Sequence, residues 1–166
     1  MSKVRLIIMF VIALSLSAGA LRAQEYGKPS PEEAAKQLAI VKSDADIHAK
    51  SEACRRLSVI GGPEVVADLA AMLGDEKLSH MIRYALEPIP SPAVDEAFRG
   101  SLGKLKGMPL VGVINSIGVR RDAKAVDALT KLLKGSDPAV ACAAATSLGR
   151  IATSEAASAL AAARSS

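Results

Sequence analysis

An apolar pattern returns four times along this 166-residue chain, and no other feature restricts its fold as much. Leu69, Phe98, Leu129 and Leu160 follow one another at steps of 29, 31 and 31 residues. Leu57, Leu86, Ile117 and Leu148 keep the same steps, and Leu73, Leu102 and Leu133 keep the first two. Self-similarity at this period belongs to stacked arrays in which one supersecondary unit is repeated. Such a unit cannot bury its apolar face alone, so the core runs continuously through neighbours and leaves one long surface outside.

Each unit reads as two helices, A and B, joined by a tight turn. In the fourth, Asp137 can accept the free amides of the first turn and Pro138 sits where its missing N–H costs nothing. Gly149 supplies a position tolerant of positive φ near the helix end, and the B helix starts near Ser154–Glu155. The third unit lies 31 residues earlier, with Gly118 under Gly149, Ala125 under Ala156 and Ala128 under Ala159. Its A helix is predicted from about Pro109 to Val119. Asp122 caps its B helix, where Val126, Leu129, Leu132 and Leu133 share a face. In the first unit, A spans roughly Asp46 to Ile60, Gly61-Gly62-Pro63 turns, and Val65, Val66, Leu69, Met72 and Leu73 face inward. In the second, Asp75 caps A, Pro88 and Pro90 stop it, and Ser91-Pro92 opens B. Upstream, Ser30-Pro31-Glu32-Glu33 reads as a capping box opening a helix to about Val41 that covers the first repeat. The far end, Ala156 to Ala163, is small and apolar without a polar cap, as expected if it docks on something or if a longer parent has been shortened.

The first 23 residues read as a secretory signal. Lys3 and Arg5 precede an apolar run from Leu6 to Leu16, and cleavage after Ala20 or Ala23 follows the small residues. The run is shorter than the roughly 20 residues of a spanning helix, and an uncleaved anchor is the alternative. The expected organisation is therefore a signal peptide over 1–23, an N-terminal segment with a covering helix over 24–45, and a repeat domain over 46–166. The protein is expected outside the cytoplasm, periplasmic or extracellular, with no membrane span after cleavage.

Charge then reads differently from the whole-chain net of +4. From residue 24 onward there are 18 basic and 17 acidic residues, which gives no signal for nucleic acid. The distribution is uneven: residues 24–98 carry 8 basic against 13 acidic groups, and residues 99–136 carry 8 against 2. Such a rod is electrically polar and can orient a partner. With two Phe, two Tyr and no Trp, the chain has few aromatic faces on which sugars or bases stack.

Candidate sites are few. Cys54 and Cys142 fall three repeats apart, roughly 25–30 Å at helix-packing distances, too far for a disulfide and expected as buried small apolar residues. His48 and His80 lie in different repeats with no Cys or acidic partner at zinc spacing. His80, Arg83, Tyr84 and Glu87 share a broad helix face through two i, i+4 pairs. That face is either a recognition patch or a hydrogen-bonded packing network with a surface ion pair. Arg120 and Arg121 sit in an A–B turn, where guanidinium groups can fork onto a partner's carboxylate or phosphate, or Arg121 can pair with Asp122 or a neighbouring acid. No phosphate-cradling glycine loop, nucleophile elbow or calcium loop is present.

The stretches Asp137-Pro138 to Leu148-Gly149, Ile117-Gly118 to Leu133 and Leu57 to Leu73 resemble the HEAT-like repeat, in the short bacterial form first noted in phycobilisome lyases. Lys77 to Pro90 and Gly112 to Val126 are also similar to exported bacterial HEAT-repeat proteins of unassigned function. The resemblance covers about residues 32–163 and implies an all-α solenoid, a HEAT-like superhelix of about four hairpins. It supports chemistry poorly, because this architecture serves unrelated roles. The expectation is a non-catalytic scaffold or adaptor for a protein partner, needing no cofactor and no metal. An accessory module of an exported multidomain enzyme and a lyase-like enzyme are the alternatives.

Overall fold

The computed structural model describes residues 31–164, which form nine α-helices and two short 3-10 turns. The predicted signal segment and Ser30 of the capping box lie outside the described residues. Helix α1 (Pro31–Lys42) precedes four hairpins. These are α2 (Ile47–Ile60) with α3 (Val66–Ala71), α4 (Ser79–Leu86) with α5 (Pro92–Ser101), α6 (Gly107–Arg120) with α7 (Val126–Leu133), and α8 (Pro138–Ile151) with α9 (Ser154–Arg164). The 3-10 turns Pro63–Val65 and Ala123–Ala125 lead into α3 and α7.

The first helices of the hairpins stack in one layer, α2 on α4, α4 on α6 and α6 on α8. In the second layer α3 packs on α5 and α7 on α9, so the array is an α-solenoid. Helix α1 packs on α2 and on the first 3-10 turn, and Lys42 Nζ reaches Asp68 Oδ1 of α3 at 2.6 Å.

Local chemistry sets the helix starts. Asp46 accepts from the Ala49 amide at 2.8 Å, Ser91 from Ala93 at 3.3 Å, and Asp137 from Ala139 and Val140 at 2.9 and 3.2 Å. Asp75 accepts from the Lys77 and Leu78 amides and so caps the turn before α4, which begins only at Ser79. Between the layers, Leu57, Leu69, Leu86, Phe98, Ile117, Leu129 and Leu148 are each 0% exposed and form the shared core, while Leu133 and Leu160 toward the far end pack against it only partly buried.

Three local expectations are corrected. Helix α6 starts at Gly107 rather than Pro109. Gly149 does not end its helix: α8 continues to Ile151, and the left-handed residue is Ala152 at φ 56°, as Arg121 is at φ 54° one repeat earlier. Behind Arg121, its own amide bonds to Gly118 O and the Asp122 amide to Ile117 O, both at 3.2 Å, the paired bonds of a Schellman stop. What Gly118 provides is close approach, since a Cβ there would come within 2.8 Å of Ser147 Cα on α8. Finally, Cys142 is exposed on α8, while Cys54 is buried in α2; both are free thiols. Burial pushes the Cys54 thiol up to about 11.

Candidate partner-binding surface

The repeat register sorts the polar residues of the first layer. Taking Leu57, Leu86, Ile117 and Leu148 as equivalent, the position three later is Ile60, Ile89, Arg120 and Ile151. Arg120 thus occupies an isoleucine column, with a side chain only 13% exposed. All five of its N–H donors are engaged. Nε and Nη2 clamp Asp95 at 2.5 and 3.0 Å, Nη1 donates to the Glu87 and Ile89 carbonyls at 2.7 and 2.9 Å, and Nη2 donates to Ser91 O at 3.2 Å. Arg120 fastens the proline-rich turn of the second hairpin to α6. Arg99 makes a parallel link to Asp122, whose carboxylate also accepts from the Lys124 amide.

The same register places Arg83 in the column of Cys54, Ile114 and Ala145. Its side chain is 15% exposed and lies over Gly112, where a Cβ would come within 2.5 Å of the guanidinium. Nη1 donates to Ser116 Oγ at 3.2 Å, and that hydroxyl donates to Glu87 Oε1 at 2.6 Å. Arg83 and Glu87 stand 3.9 Å apart. Desolvation lowers the Arg83 pKa and the Glu87 charge opposes that shift. Its Nε finds no acceptor because it is pressed against Gly112. Arg83, Glu87 and Ser116 therefore bind α4 to α6.

His80, Tyr84 and Arg121 face solvent. Arg83 Nη2 stands 3.4 Å from His80 Nδ1. Among the described residues no acid lies within ion-pairing reach of Arg121, since Asp122 pairs with Arg99 instead. The six candidate residues thus divide by environment: Arg120, Arg83 and Glu87 hold hairpins together, and His80, Tyr84 and Arg121 are displayed. Among the described residues, no group of three His, Cys, Asp or Glu side chains could hold a metal ion. No described helix is long and apolar enough to cross a membrane.

Sequence reasoning missed a surface that the register also marks. Two residues after the core leucines stand Val59, Pro88, Val119 and Arg150, all exposed. Two residues before stand Arg55, Tyr84, Asn115 and Thr146. Val59, Tyr84 and Val119 are 64%, 47% and 52% exposed. Ser58, Tyr84, Glu87, Pro88 and Val119 line a groove of about 430 Å³ across α2, α4 and α6.

No curated protein matches the chain. Residues 111–166 match the family of HEAT repeats, a segment that covers most of α6 and all of α7 to α9. With the two-layer stacking, that match makes the fold an α-solenoid of HEAT-like repeats.

Proposed function

We propose that this protein is a non-catalytic scaffold or adaptor that binds a protein partner through its first helical layer. One observation carries the reading: Val59, Pro88 and Val119, from three successive hairpins, form an exposed apolar column beside Tyr84. Large side chains displayed in register on a rigid array suit recognition of an extended partner. HEAT repeats commonly serve as interaction scaffolds, and the family is generally non-catalytic.

The test is affinity capture from an extract of the source cells with the full chain, in parallel with Tyr84→Ala and Arg121→Glu variants that melt like wild type. A protein held in stoichiometric amount by the wild type and lost by either variant supports the proposal. Capture of nothing by any of the three counts against it. Export belongs to the same proposal and rests on Lys3, Arg5 and the apolar run Leu6 to Leu16. Cell-envelope protein beginning at Leu21 or Gln24 supports export with cleavage, and protein that begins at Met1 and stays in the cytosol overturns it.

A further inference from the structure

We infer that the groove beside Tyr84 takes a lysine side chain of the partner protein, with its methylenes along the apolar walls and its ammonium on the Glu87 carboxylate. This inference rests on the protein-binding reading and names the residue that its site recognises. Ser58 of α2, Tyr84, Glu87 and Pro88 of the second hairpin, and Val119 of α6 line the groove, and Glu87 is the charged member of that lining. Pro88 and Val119 offer hydrocarbon to a flexible four-carbon stem. The half-exposed Tyr84 ring offers a face that attracts a cation. Ser58 Oγ donates to Arg55 O at 2.8 Å, so lone pairs are what it has left for a ligand.

Glu87 has acceptor capacity that the fold does not use. Oε1 accepts from Ser116 Oγ at 2.6 Å, and Arg83 Nη1 stands 3.9 Å from that oxygen, too far for a hydrogen bond. No hydrogen bond from the described residues reaches Oε2, although the side chain is only 26% exposed. An ionised carboxylate has about four lone-pair sites, so a single bond leaves it short of donors. Arg83 does not fill the gap, because its guanidinium lies against Gly112 and donates to Ser116. The helix ends reinforce the preference. Glu87 caps the C-terminal end of α4, and Ser58 and Val119 lie in the last turns of α2 and α6. Helix C-termini carry partial negative charge and favour cations. With Oε1 engaged, the carboxylate has one oxygen to give, which suits the point charge of an ammonium better than a two-pronged guanidinium.

The test is a nuclear magnetic resonance titration of the isotope-labelled full chain, carried to millimolar peptide. The probes are four nonapeptides of glycine and serine that differ only in the central residue: lysine, norleucine, arginine or glutamate. The lysine peptide is expected to shift the amides of Ser58, Tyr84, Glu87 and Val119 saturably, and to bind more weakly as salt rises. Norleucine keeps the stem without the charge and should bind roughly tenfold less well. Arginine and glutamate should also bind more weakly than lysine. Glu87→Gln keeps an acceptor for Ser116 and should bind the lysine peptide no better than wild type binds the norleucine one. Tyr84→Leu, which removes the ring face, serves if Glu87→Gln does not fold. The inference is overturned if the lysine peptide gives no saturable shift, or shifts only amides away from the groove. Equal affinity for any of the other three peptides overturns it too, as does indifference to the groove variants. A captured protein whose retention survives Glu87→Gln sinks this site but leaves the scaffold reading standing. Failure of both capture and peptide binding removes both.

Discussion

Arg120→Met should destabilise the protein by about 3 kcal/mol without acting as an interface change. The replacement keeps an unbranched apolar stem as far as the position of Nε and removes the guanidinium with its five donors. Left behind are the Asp95 carboxylate and the carbonyls of Glu87, Ile89 and Ser91, all of which now bond to Arg120. Stripping one partner from a buried ion pair costs about 3–5 kcal/mol, because the other charge is stranded. Asp95 is 24% exposed and recovers some hydration, so the lower end of that range applies. Each of the three carbonyls would add about 1–3 kcal/mol if fully buried and left with no donor, but Ile89 O still accepts from the Ser91 amide and Ser91 O from the Val94 amide. The carbonyls also lie in a turn with exposed Pro88 and Pro90, and regain water as it loosens. A domain of this size melts with an entropy of about 0.3 kcal/mol per kelvin, so the expected fall in Tm is about 10 °C. Circular dichroism at 222 nm, with urea titration to check that the slope of unfolding is unchanged, reads both quantities. Asp95→Asn in the same background should cost much less than in wild type, since the two residues share one interaction. A Tm within 2 °C of wild type would refute the assignment of Arg120 as a fastener between hairpins.

The paired glycines give a sharper contrast. Gly118→Ala must push α6 from the backbone of α8 and is expected to cost about 1–3 kcal/mol despite better helix propensity. Gly149→Ala meets nothing within 4 Å and should gain about 0.5–1 kcal/mol, so equal melts would contradict the packing. Ala152→Gly relieves a left-handed alanine and should stabilise by about 1 kcal/mol in urea unfolding. Thiol titration of the native protein at pH 8 should label Cys142 and spare Cys54. Above the ordinary thiol value of 9.0 the unfolded chain ionises Cys54 while the folded chain does not until about 11. Stability should therefore fall by up to about 1.4 kcal/mol per pH unit over that window, a slope absent from Cys54→Ala.

Much of this architecture was legible because the repeating leucines are core positions whose spacing survives in a short alphabet of apolar residues. Helix starts were readable where Asp46, Ser91, Asp122 and Asp137 stand before the first turn. Helix ends were less so: a glycine inside a helix and one that ends a helix look alike until the facing residue, here Ser147, is known. The candidate site divided for a related reason. Local pairing at i, i+4 put Arg83 and Glu87 on one helix face, but their partner Ser116 comes from the next repeat. Aligning the repeats would have found Arg120 among isoleucines, a position that obliges an arginine to pair internally. The same alignment shows Val59, Pro88 and Val119 as a column, while their exposure is a property of the packed array.

The claim that the first layer is the partner-binding face is tested most directly by photocrosslinking in the source cells. A benzoylphenylalanine would replace Tyr84 or Val119 in the first layer, or Glu96 or Asp127 on exposed second-layer positions. A discrete protein adduct from the first pair and none from the second is the predicted result. Adducts from Glu96 or Asp127 alone, or from no position, would contradict it.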